Sequence, residues 1–95
     1  MKANLENLKK ALKACAEAHQ AEFCDWSEDE LQIAVKSETV PVVSDVRMIC
    51  EAFYGSSCMV EVGWGYTNVF CDATEMLSEV DEKLLRMALP YGCTL

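Results

Sequence analysis

Residues 58–72, CMVEVGWGYTNVFCD, constrain the fold more than any other stretch of this chain. β-Branched and aromatic residues flank Gly63-Trp64-Gly65, and glycine at a tight reversal admits backbone angles that other residues resist, so the segment predicts a β-hairpin. A two-residue turn at Trp64-Gly65 sets Val62 opposite Thr67, Val60 opposite Val69 and Cys58 opposite Cys71 on one face. Met59 then faces Phe70, and Glu61 faces Asn68, on the other. A register one residue shorter places Val60 against Asn68 and Glu61 against Thr67. The first is preferred, because apolar cross-strand pairs contribute from a few tenths to about 1 kcal/mol each.

Helical periodicity surrounds the hairpin. Leu5, Leu8, Leu12, Cys15 and His19 recur at spacings of three and four among alanines, which predicts an amphipathic helix from about residue 4 to 22, capped by Asn4. Val42, Val46, Ile49, Cys50 and Phe53 repeat the pattern between Pro41, suited to a first helical turn, and Gly55, suited to a C-terminus. That predicts a second, more apolar helix over about 41–54. Asp72 followed by Glu75, with Met76, Leu77, Val80, Leu84, Met87 and Ala88, predicts a third helix stopped by Pro90 and followed by a loose tail, Tyr91–Leu95. Between the first two helices, residues 21–30 read as a polar connection pinned by Phe23 and Trp26. Leu31, Ile33 and Val35 alternate with Gln32, Ala34 and Lys36 as a half-buried strand does, over about 31–37, although Ser27 and Glu30 also fit a capping box for a short helix. The expectation is one α+β domain over residues 1–95, a small two-layer sandwich in the order α-β-α-β-β-α. Its three-stranded, mainly antiparallel sheet carries helices on one face.

Charge limits the function classes. Eight Lys and Arg against sixteen Asp and Glu give a net charge of −8. Residues 1–20 hold four Lys against two Glu, +2, so the remaining 75 residues carry −10. Direct binding of nucleic acid needs a basic patch, and the one cluster of lysines lies on the first helix, so nucleic acid is disfavoured as a ligand. No apolar run approaches the ~18 residues of a membrane span, which argues against a membrane partner. The six cysteines, at 15, 24, 50, 58, 71 and 93, contain no C-x-x-C spacing. They read as reduced, buried thiols of a cytoplasmic protein.

Motifs that carry chemistry are scarce. Cys15 and His19, four apart, share a helix face, and Cys24 follows five residues on, a start compatible with a metal site or an imidazole-activated thiol; the usual paired ligand spacing is missing and both residues lie on the apolar seam, so they read as packing. Cys58 and Cys71, as cross-strand neighbours, read as packed thiols too. The carboxylates Asp25, Glu28, Asp29 and Glu30 lack the glycine and alternation of a calcium loop, and Gly63-Trp64-Gly65 leads into a strand, unlike a phosphate loop. No catalytic residue, metal or cofactor is assigned, and the chain reads as non-enzymatic.

Two tryptophans are harder to place in a core: Trp64 between glycines and Trp26 among carboxylates. An exposed Trp rimmed by acid has the composition of a protein-binding hot spot. The candidate partner-binding residues are Asp25, Trp26, Glu28, Asp29, Glu30, Glu61, Trp64 and Tyr66, facing a protein with a basic surface. In size and charge, though in no motif, the chain resembles phage-borne inhibitors of host nucleases and anti-CRISPR proteins, which implies an inhibitor occupying a basic, nucleic-acid-handling site. Two further readings stand beside it. One is a subunit assembling through the Leu8 and Leu12 face of the first helix, as a homodimer or in a larger complex. The other is a thiol- or metal-dependent protein using Cys15 and His19.

Overall fold

A computed structural model describes residues 1–89. The expected stop at Pro90 and loose tail at Tyr91–Leu95, with Cys93, lie outside the described residues. Four helices and a four-stranded antiparallel sheet follow in the order α1 (Leu5–Ala18), β1 (Phe23–Trp26), α2 (Ser27–Glu30), β2 (Gln32–Val35), α3 (Val40–Tyr54), β3 (Val60–Gly63), β4 (Tyr66–Phe70) and α4 (Glu82–Ala88). The strands lie in the order β1-β2-β4-β3.

The hairpin has the expected register, Val60 opposite Val69, Glu61 opposite Asn68 and Val62 opposite Thr67. Trp64 and Gly65 both take positive φ, +58° and +82°, the pattern of a type I′ turn, whose twist matches that of the strands it joins. α1 starts as expected, the Asn4 side chain accepting from the Asn7 N–H at 2.8 Å. It stops at Ala18, about four residues short of the expected end near residue 22. Gln20 takes a left-handed conformation, Ala21 N–H donates to the Ala16 carbonyl, and Gln20 N–H donates to the Glu17 carbonyl. That is a Schellman cap closed without its usual glycine, and so without its usual sequence signal.

The sheet has four strands where three were expected. Phe23–Trp26, read as a connection, is an edge strand pairing Phe23 with Val35 and Trp26 with Gln32. An edge tolerates the charge density that disguised it. The connection to β2 is the single turn α2, and Leu31 at φ +51° redirects the chain into the strand. The short helix and the strand are therefore successive features of one segment. Ser27 does not form a capping box; its N–H and Oγ both donate to Asp25 Oδ1, at 3.1 and 2.7 Å.

The long C-terminal helix also gives way. Asp72 caps only a 3₁₀ turn, Ala73–Glu75, and α4 begins after its N-cap Asp81, whose carboxylate accepts from Leu84 N–H. The stretch between is irregular, and its backbone is tied to the rest of the fold. Leu77 and Asp81 N–H donate to the Phe53 and Ala52 carbonyls at 2.9 Å each, and Val80 N–H donates to the Met1 carbonyl at 2.8 Å. The last carbonyls of α3 have no partner within their own helix, and this segment supplies them.

α1 and α3 pack on one face of the sheet. Leu8, Leu12 and Cys15 from α1, Val46, Ile49 and Phe53 from α3, and Ile33, Val35 and Val69 from the sheet form a single core with Val80 and Leu85. Leu8 and Leu12 are fully buried in it, so the face that the sequence offered to a second copy is occupied by the chain's own core. Among the described residues no helix is long and apolar enough to cross a membrane.

Candidate functional site

Strand alternation divides the sheet into a covered face and an open one. Phe23, Asp25, Ile33, Val35, Thr67, Val69, Val60 and Val62 point toward the helices, whereas Trp26, Gln32, Ala34, Tyr66, Asn68, Phe70 and Glu61 point away. Ala34 is fully buried yet lies outside the helix-packed core cluster. Its cover is aromatic: the Trp26 and Tyr66 rings meet over the central strand with centroids 5.6 Å apart and planes tilted by 59°. Gln32 Nε2 donates to Asn68 Oδ1 at 2.7 Å on the same face. Trp26 is 38 % exposed, and Tyr66, Gln32, Asn68 and Phe70 are half-buried, so this face presents a mixed aromatic and polar platform.

Carboxylates rim the platform. Glu28, Asp29 and Glu30 are exposed on α2 directly after Trp26, and Asp29 and Glu30 border a depression of about 280 Å³ with the Trp26 ring. Glu61 is exposed on the far edge strand. The lysine on this side, Lys36, lies 3.8 Å from Glu22 and so adds little positive potential. At the hairpin tip Trp64 is 98 % exposed. Of the eight residues singled out by composition, Trp26, Tyr66 and Glu61 share the open face, Asp29 and Glu30 border a depression beside Trp26, Glu28 is exposed on the same turn, and Trp64 stands at the hairpin tip.

Asp25 stands apart from them. It points to the helical side, where its second carboxylate oxygen accepts from Lys9 Nζ at 3.0 Å while the first holds Ser27. The bonds from Ser27 and Lys9 hold its carboxyl well below the usual range, at about 2. Its charge is engaged within the domain.

No protein-family model, curated protein or solved structure matches this chain.

The thiols are arranged differently from expectation. Cys58 lies beyond the ladder that ends at Val60 and Val69, and its thiol partner is Cys50 of α3 and not Cys71 across the hairpin. The neighbouring Cys50 thiol and the nearby Arg47 guanidinium lower the Cys58 pKa, against burial and Glu51; the same thiol–thiol interaction, and then burial, raise Cys50. Cys15 and His19 do share a face, and a third group joins them that sequence reasoning did not find. Asp45 of α3 places a carboxylate oxygen 2.7 Å from His19 Nε2. Burial, and then the Asp45 charge, push the Cys15 thiol up to about 11. Asp45 lies 26 residues from His19, so no local spacing could have announced it.

Proposed function

We propose that this protein is a small acidic, non-enzymatic binding module that docks on a basic surface of another protein, as an inhibitor or regulator. Trp64 carries the reading. A tryptophan that is 98 % exposed loses its hydrophobic return, and at φ +58° it occupies a conformation that costs a residue with a Cβ about 1 kcal/mol. Asn or Gly would make the same turn without either cost. A side chain that breaks two local rules with no compensating contact is most simply explained by an intermolecular one. The Trp26–Tyr66 platform supplies further aromatic surface, and Glu28, Asp29, Glu30 and Glu61 favour encounter with positive charge. A partner site that ordinarily holds nucleic acid has the required potential.

Capture from a lysate of the native host with stepped salt elution tests this, run in parallel with wild type, Trp64→Ala and a Glu28→Lys, Asp29→Lys, Glu30→Lys triple variant. The expected result is a basic protein released by salt, since screening weakens exposed charge pairs. Its affinity falls by at least about 30-fold for Trp64→Ala, the ~2 kcal/mol of a hot spot, and its association slows in the triple variant. Partners retained equally by both variants would overturn the assignment.

A further inference from the structure

Away from the open sheet face, the helical layer holds the one cluster of mixed ligand atoms found among the described residues. Cys15 Sγ, an imidazole nitrogen of His19 and a carboxylate oxygen of Asp45 all lie within 4.8 Å of one another. The helix provides two of them, because positions four apart face the same way, and the packing of α1 on α3 brings the third. We propose that these three residues are a binding site for a divalent transition metal of the zinc class, with the fourth position open to solvent.

The donor set selects the metal. One thiolate, one imidazole and one carboxylate suit a borderline ion that accepts S, N and O together, whereas calcium and magnesium demand mostly oxygen. Size agrees as well. Bonds of roughly 2.0–2.3 Å in a tetrahedron separate neighbouring ligand atoms by roughly 3.3–3.5 Å. The His19–Asp45 contact, now 2.7 Å, opens by about half an ångström, and the thiol closes inward by rotation. Protons balance: Cys15 releases one to solvent, and His19 moves its hydrogen to Nδ1 so that Nε2 can donate its lone pair. Thiolate and carboxylate then carry two negative charges, matching the ion's two positive ones. Cys15, only 1 % exposed, forms the floor of the site, while the His19 and Asp45 side chains, 25 % and 30 % exposed, leave an entry path. Three protein ligands with an open fourth position is the arrangement of zinc sites that bind water or a substrate, and not of closed structural ones.

The test uses the full chain, kept reduced, titrated with Co²⁺ and then Zn²⁺. One equivalent of cobalt should produce a near-ultraviolet thiolate-to-cobalt charge-transfer band with the strong visible bands of a four-coordinate ion, and one equivalent of zinc should abolish both. Cys15→Ala removes the charge-transfer band. Asp45→Asn, at a partly exposed position where the amide still bonds to His19, keeps the fold by circular dichroism and weakens cobalt binding at least about tenfold, as the loss of a ligand requires. Absence of a stoichiometric band overturns the proposal, as does an unchanged band in Cys15→Ala or unchanged affinity in Asp45→Asn. These outcomes are independent of partner docking, which uses none of the three residues.

Discussion

Replacing Asp25 by alanine tests how much a carboxylate engaged within the domain contributes to the fold. The wild-type carboxylate accepts from Ser27 N–H, Ser27 Oγ and Lys9 Nζ, and its pKa falls from the ordinary 3.8 to about 2. At face value such a shift is worth somewhat over 2 kcal/mol. The side chain is 42 % exposed, so solvent screening reduces this to about 1 kcal/mol. Alanine also leaves the Ser27 hydroxyl, in a residue only 6 % exposed, without its acceptor, which costs about 1 kcal/mol more. The expected loss at neutral pH is about 2 kcal/mol, a fall in melting temperature of roughly 8–16 °C for a domain of this size. Urea unfolding followed by circular dichroism measures it. The pH dependence gives a second handle. Because the folded pKa lies below the unfolded one, the charge-linked share is fully present above about pH 5 and is lost as the pH falls through 4 toward 2. Asp25→Ala should therefore flatten the wild type's decline in that window. Lys9→Met, which removes only the partly exposed ion pair, should cost no more than about 1 kcal/mol. An Asp25→Ala protein within about 0.5 kcal/mol of wild type, with an unchanged pH profile, would refute this account of the connection from β1 into α2.

Two further outcomes follow from the hairpin tip and the thiols. Trp64→Asn should stabilise the domain by about 1 kcal/mol in the same urea assay, since asparagine accepts the left-handed turn position more readily; equal or lower stability would show that Trp64 has a structural role after all. Among the described cysteines, Cys58 should be alkylated first by iodoacetamide near neutral pH, as read by mass spectrometry of peptides after short exposure. It is partly exposed, favoured as the thiolate by Cys50 and Arg47, and borders an open groove of about 470 Å³. Cys15 and Cys71, both pushed up to about 11 chiefly by burial, should lag, and faster labelling of either contradicts the assignment.

Local chemistry by itself determined a good part of this protein. The β3–β4 register followed from a two-residue turn and the apolar pairs it aligns, all within about a dozen residues. The second helix ran from its proline to its glycine, Val40–Tyr54 with Gly55 as cap, because periodicity and both end signals agreed. Acidic rim and tryptophans were visible in composition, and alternation then set Trp26 and Tyr66 on the face opposite Asp25 once β1 existed. That strand was decided elsewhere. Phe23–Trp26 has too few residues and too much charge to declare itself, and it becomes a strand because β2 offers an edge to pair with. Residues 76–80 carried a helical stripe, but the N–H groups of Leu77, Val80 and Asp81 are claimed by the Phe53, Met1 and Ala52 carbonyls, partners that exist only after α3 and the N-terminus are in place. Asp45 meets His19 for the same reason, through the packing of two helices. Sequence spacing reports contacts within a turn of helix or across a tight hairpin. Contacts between elements depend on which backbone groups and side chains remain unsatisfied when those elements come together, and only the tertiary structure decides that.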